Sequence, residues 1–414
     1  MRSEIRNHLD APQELEKLYR TNSQAFKSSF DEVYPEIQEH PAAKFWHERL
    51  HYTQDQIHWG SPREIWFVII AAALAGMVAK FPDFFAIEPD FFYPRNLGFI
   101  VFPFLSAYFI WKQGMNIRFI IFSALTVVLS ALYINFIPGD DTNDSFILAC
   151  IHLPVFLWFV LGINFSGQNL KETTYRMQFL SYNGDLLVMM AIIMIAGGIM
   201  TGITLGLFSL IDMPIEEIYF KYVGIWGLAA VPIISTFLVR SNPNLVGKVS
   251  PVVARVFTPL VLVMLTLYLG AVIITGKDPY KDREFLIVFN ALLVGVMALI
   301  LFSVAETSKS TRPKATLVML LALSIITLII NGIVLSAILF RISEWGFTPN
   351  RMAVLGSNLL ILAHLVWVAY TLFKAVRSNL GTDSVNRAIA GFLPVYFVWV
   401  FLVTFLLPLV FGFR

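Results

Sequence analysis

Residues 315–340 read ATLVMLLALSIITLIINGIVLSAILF, and no side chain in the run carries a formal charge. Lys314 stands immediately before it and Arg341 immediately after. As an α-helix at ~1.5 Å per residue the run is about 39 Å long, more than the ~30 Å hydrocarbon layer of a bilayer. Comparable stretches recur near 65–81, 97–111, 117–137, 145–165, 185–211, 219–239, 251–275, 285–304, 350–373 and 388–411. The run at 97–111 is the shortest, and Pro103 interrupts it. The composition agrees, with 57% hydrophobic and 14% charged residues in 414. The expected fold is an all-α polytopic membrane protein: a bundle of about eleven transmembrane helices over 64–414, preceded by a cytoplasmic amphipathic helical tail over 1–63.

Charge and cysteine content narrow the function classes. A net charge of +2 gives no general basic field for nucleic acid. The single cysteine, Cys150, excludes an intrachain disulfide and a multi-thiolate metal site. The chain opens with charged residues and its first apolar run starts near Ile65, so no cleavable signal peptide is expected. Lys112, Arg118, Arg240, Lys248, Lys309, Arg312, Arg377 and Arg387 fall on one set of loops, which predicts N-terminus in and C-terminus out. The opposite loops carry Asp83, Glu88, Asp90, Asp140, Asp141, Asp144, Asp212, Glu216 and Glu217.

In the tail, Leu15, Leu18, Tyr19, Phe26, Phe30 and Val33 recur roughly along one helix face. Pro35 and Pro41 then separate a second helical stretch carrying Phe45, Trp46, Leu50 and Tyr52. Two helices bury too little apolar surface to stand alone, so the tail is expected to dock on the bundle, lie on the bilayer or hold a protein partner.

Within the spans, Gly198, Gly202 and Gly206 repeat at four-residue spacing, which predicts close approach of a second helix. Prolines 103, 154, 232, 259 and 394 interrupt several spans, a weak pointer to the broken helices of transporters. No acidic or basic residue falls at mid-depth on this reading, which disfavours an ion-coupled carrier. The mid-span polar residues are Asn290, Asn331, Asn358, His152 and His364. His364 is the intramembrane candidate for a ligand or proton role, against ordinary hydrogen-bonded packing.

Two constellations could carry chemistry. His47-Glu48-Arg49-Leu50-His51 is an H-E-x-x-H; on a helix both histidines share a face and could hold Zn²⁺ beside a general base. His58 is the nearest third ligand, without metzincin spacing. Five of the seven histidines (His8, His40, His47, His51, His58) crowd this tail, so chance favours a coincidental match. The second is Arg341 to Arg351. Thr348-Pro349 predicts an N-cap and first helical position, and Gly346 can end the preceding helix. Arg341, Glu344 and Arg351 would then surround a helix N-terminus that favours an anionic ligand. Alternatively Arg341 pairs with Glu344 while Trp345 anchors at the headgroup level. Tyr182-Asn183-Gly184-Asp185 is expected to open the fifth span, with Asp185 capping it.

The chain resembles a bacterial family of multi-pass membrane proteins known as a domain of unknown function and loosely called permease-like. The residues that carry the resemblance are Leu15 to Arg20, Phe45-Trp46 with Arg49-Leu50, Tyr182 to Asp185, Leu207 to Tyr222 (LFSLIDMPIEEIYFKY) and Arg341 to Arg351. They spread over most of the chain, and the two histidines of the H-E-x-x-H are not among them. The resemblance implies a bacterial inner membrane and supplies no activity. No cofactor and no nucleotide loop are expected. Three function classes remain open: binding or transport of an amphipathic or anionic lipid-like ligand, an envelope scaffold, and a zinc-dependent hydrolase.

Overall fold

In the computed structural model the described residues are 1–51, 60–139, 142–209, 213–243, 250–275, 280, 283–307, 314–378 and 383–413. Among them the chain is helical without a strand, and it divides into two compact units, Met1–His58 and Trp59–Arg414.

The described part of the N-terminal unit holds four helices rather than two: α1 (Arg2–Asn7), α2 (Pro12–Thr21), α3 (Ser23–Ile37) and α4 (Pro41–His51). Pro35 lies inside α3, not between helices. The apolar pattern from 11 onward does not reveal α1, which adds Ile5 to a core of Leu15, Phe26, Phe30, Ala43, Trp46 and Leu50. Polar groups join α2 to α4 around that core. Glu16 accepts hydrogen bonds from Arg20 at 2.9 Å and from Arg49 at 2.8 Å. The Arg49 guanidinium lies 4.5 Å from the Trp46 ring centre and 5.1 Å from that of Tyr19. The element therefore encloses its own apolar centre.

The second unit is an all-α polytopic membrane bundle. It comprises α5 (Pro62–Ala79), the short α6 (Phe81–Phe85), α7 (Pro89–Lys112), α8 (Ile117–Phe136), α9 (Asp144–Ser166), α10 (Thr173–Ser209), α11 (Glu216–Ser241), α12 (Ser250–Thr275), α13 (Arg283–Thr307), α14 (Lys314–Trp345), α15 (Pro349–Ser378) and α16 (Asp383–Val410). Nine helices among the described residues are long and apolar enough to span a membrane. The other two expected spans, 97–111 and 251–275, lie on α7 and α12. The first is longer than expected and continuous through Pro94 and Pro103, and it carries the buried Arg95. In α12 the described apolar stretch is the shorter Val256–Leu267.

Helix ends obey local chemistry. Ser61 caps α5 by accepting from the Glu64 amide at 3.2 Å, with Pro62 at the first position. Thr348 accepts from the Arg351 amide at 3.3 Å and Gly346 takes φ +73°, so the turn between α14 and α15 forms as its residues predict. Glycines permit closest approach elsewhere than expected. A Cβ on Gly184 would fall 1.8 Å from the Phe302 ring, and one on Gly356 2.0 Å from Trp399. A Cβ added at Gly198, Gly202 or Gly206 would meet no described atom within 4 Å. The expected packing stripe is thus unoccupied by the described residues, and Ile195, Ile199, Met200 and Ile203 around it are exposed. Spacing shows that a groove exists, not that a neighbour fills it.

Candidate functional site

The residues singled out from sequence are dispersed. At the Arg341–Arg351 turn, Arg351 donates to the carbonyls of Trp345 at 2.8 Å and Gly346 at 2.7 Å, ending α14. Arg341 donates to the Tyr280 carbonyl at 3.1 Å. Their guanidiniums lie 5.5 and 5.8 Å from the Trp345 ring centre. Glu344 is exposed; the described contacts of both arginines include these carbonyls and this ring. The turn works as a helix clasp built on Trp345.

His364 is fully buried, shares a 3.1 Å hydrogen bond with the Tyr396 hydroxyl, and stacks on Phe392 at 4.5 Å. The three mid-span asparagines converge. Asn358 donates to Asn290 at 2.7 Å, and Asn331 donates to the Asn358 carbonyl at 3.3 Å. They tie α13, α14 and α15 together inside the bundle. In the N-terminal unit His47 stacks on Tyr34 at 3.9 Å. His58 lies outside the described residues, as does the side chain of His51. Among the described residues no three His, Cys, Asp or Glu side chains group as metal ligands.

A cavity of about 880 Å³ lies where five helices end together. The start of α10 supplies Thr173 to Asp185, the ends of α9, α11 and α13 supply Phe165, Arg240 and Ala305, and the start of α16 supplies Asp383, Asn386 and Arg387. Its floor is buried: Ser181 is 5% exposed, Tyr182 4% and Asp185 8%. Its rim is exposed and charged, with Arg240, Asp383 and Arg387. Met177 and Val239 add apolar wall. Two cations and two carboxylates therefore line one basin.

The run Tyr182 to Asp185 explains how the floor is built. Successive helix residues turn about 100°, so four neighbours face four directions. Tyr182 meets Thr236 of α11 at 2.7 Å; because Thr236 gives its own proton to the Pro232 carbonyl, the tyrosine donates. Asn183 accepts from the Trp158 indole of α9 at 2.8 Å. Gly184 admits Phe302 of α13. Asp185 lines the basin. The expectation that Asp185 caps a span is overturned, since α10 begins at Thr173, about three turns earlier. Asp185 therefore lies within α10 rather than at its start. Sequence reasoning misses this because the polar turns from Thr173 to Gln178 read as loop. Tyr175, Phe179, Tyr182 and Leu186 at helical spacing are the available signal. Arg240 and Arg387 read only as loop charges.

A second buried cluster lies at the start of α5. Glu64, 3% exposed, accepts from the Tyr108 hydroxyl at 2.7 Å and from Lys112 at 2.6 Å. Its carboxylate is satisfied by α7, and it locks the two helices together. Comparison with protein-family models, with curated proteins and with solved structures finds no match to this chain.

Proposed function

We propose that this integral membrane protein binds an amphipathic ligand with a zwitterionic head group in the basin between α10, α11 and α16. The observation that carries the reading is the lining itself: Asp185 buried at the floor, Arg240 and Arg387 at the rim, and apolar wall between. An ionisable group inside a spanning helix is retained where it serves a site. A carboxylate at depth favours a ligand ammonium, and planar guanidiniums favour a phosphate or carboxylate. Arg240 is poised over the rings of Phe109 at 5.8 Å and Phe165 at 5.5 Å. The lipid-like ligand expected at Arg341 and Arg351 is better served here, because those two guanidiniums already bind backbone carbonyls. With the N-terminus in the cytoplasm, as the loop cations argue, the basin opens to the cytoplasm. The resemblance to a bacterial family of multi-pass membrane proteins supports an inner-membrane location.

The test is mass spectrometry of lipid retained by the purified chain. Asp185→Asn and Arg387→Ala should each reduce retained phosphatidylethanolamine about tenfold, the loss expected for one charge-assisted hydrogen bond. Unchanged retention in both folded variants would sink the assignment. The scaffold reading keeps one specific support: the N-terminal unit has its own core and still presents Phe45, 63% exposed. A stoichiometric partner lost on Phe45→Ser would favour it.

A further inference from the structure

At the opposite end of α11 lies a second cavity of about 500 Å³, lined by Lys80 between α5 and α6, by residues of α6 and α7, and by the first turns of α11. Its charged lining is Lys80, Asp83 and Lys221. Lys80 is 1% exposed. Its backbone is pinned because it ends α5 and begins α6, donating its amide to Gly76 at 3.1 Å and accepting from Asp83 at 3.1 Å. Its ammonium contacts the Asp83 carboxylate and sits 5.0 Å from the Tyr222 ring centre. Lys221 reaches the same carboxylate at 3.5 Å. Asp83 is held below the usual carboxylate range, chiefly by the Lys80 hydrogen bond, so it is ionised at neutral pH.

Two ammoniums thus share one carboxylate, and the cavity keeps one positive charge. The other acids of this end, Glu88, Asp90, Glu216 and Glu217, do not line it. Tyr93 spends its proton on the Ala79 carbonyl at 3.1 Å. An ammonium has three donors, and a buried one is costly unless they are met. The rest of the lining, including Pro82, Phe220, Ile225 and Leu228, is apolar and descends along α11 into the span.

We propose that this cavity binds a monoanionic oxyanion carrying an apolar tail, held by Lys80 and Lys221 with Asp83 setting the net charge. A phosphate diester of a phospholipid has the matching charge, and the wall toward Leu228 receives its chain. The proposal stands on other residues than the basin, so either can fail alone.

The full chain is placed in phosphatidylcholine nanodiscs containing phosphatidylglycerol, and bound lipid is counted by native mass spectrometry. Lys221→Gln, at an exposed residue, should lower the preference for phosphatidylglycerol about fivefold, the effect of one surface lysine. Lys80→Met combined with Lys221→Gln should abolish it. Asp83→Asn, which raises the cavity's charge, should strengthen the preference by a similar factor. A merely structural salt bridge would show no such opposition of sign. Displacement of phosphatidylglycerol by inorganic phosphate assigns the headgroup site to a soluble anion; no displacement assigns it to the lipid. If Lys221→Gln and Asp83→Asn both leave the preference unchanged while the chain stays folded, the site does not exist.

Discussion

Two glycines of α10 have opposite surroundings. Gly184→Ala would drive a methyl into Phe302 and should destabilise the bundle by about 1–3 kcal/mol, the cost of overpacking. Gly202→Ala meets nothing described and should be neutral or stabilising, by up to about 1 kcal/mol of helix propensity. Thermal unfolding of both variants in one detergent checks the pair; equal losses would show that the Gly202 face is packed after all. The comparison also shows what is legible in the sequence. The repeated spacing of Gly198, Gly202 and Gly206 draws attention, while the single Gly184 has the close neighbour. Spacing along one helix contains no information about which face a second helix reaches. Asp185 makes the same point: its type is visible, but its depth depends on where α10 starts.

At the scale of elements, the apolar runs locate the helices because each run's length and charge-free character are local properties. The boundaries are less legible. Ser61-Pro62-Arg63-Glu64 is a readable start signal for α5, whereas α7 continues through two prolines because neighbouring packing compensates, as Gly98 against Pro154 illustrates. The N-terminal unit is only half legible, since α1 is too short for periodicity to reveal. That unit also carries a pH prediction. Glu16 is held below its ordinary value of 4.5, first by Arg20 and then by Arg49. Glu14 is lowered similarly by Lys17, and Glu4 by the chain's own amino terminus. Groups lowered on folding stabilise above their unfolded value, and that contribution is lost as pH falls through the folded value. Hydrogen exchange over residues 12–51 of the full chain should therefore accelerate as pH drops below about 4.5, after correction for intrinsic exchange. Glu16→Gln should flatten the change. Trp46→Ala should cost this unit about 3–5 kcal/mol, since the indole is 4% exposed and packs on Tyr19 and Phe26; the same exchange measurement reads it.

Across the whole molecule, the bundle class is evident from composition and run length, but the basin is not. Its lining comes from helix ends far apart in sequence, and no motif spans them. The loop cations Arg240 and Arg387 serve as orientation signals, and only the packing of α11 and α16 against α10 brings them to the cavity that Asp185 lines. Lys80 and Lys221 are equally remote in sequence and meet because α5 packs along α11. The basin and the lysine cavity consequently open at opposite ends of one spanning helix, α11. Membrane voltage falls along that distance. An elementary charge moved across the full field changes energy by ~2.3 kcal/mol per 100 mV. A net-neutral head group in the basin would be indifferent to the energised state of the membrane, while a monoanion held at Lys80 and Lys221 would bind with an affinity that depends on it.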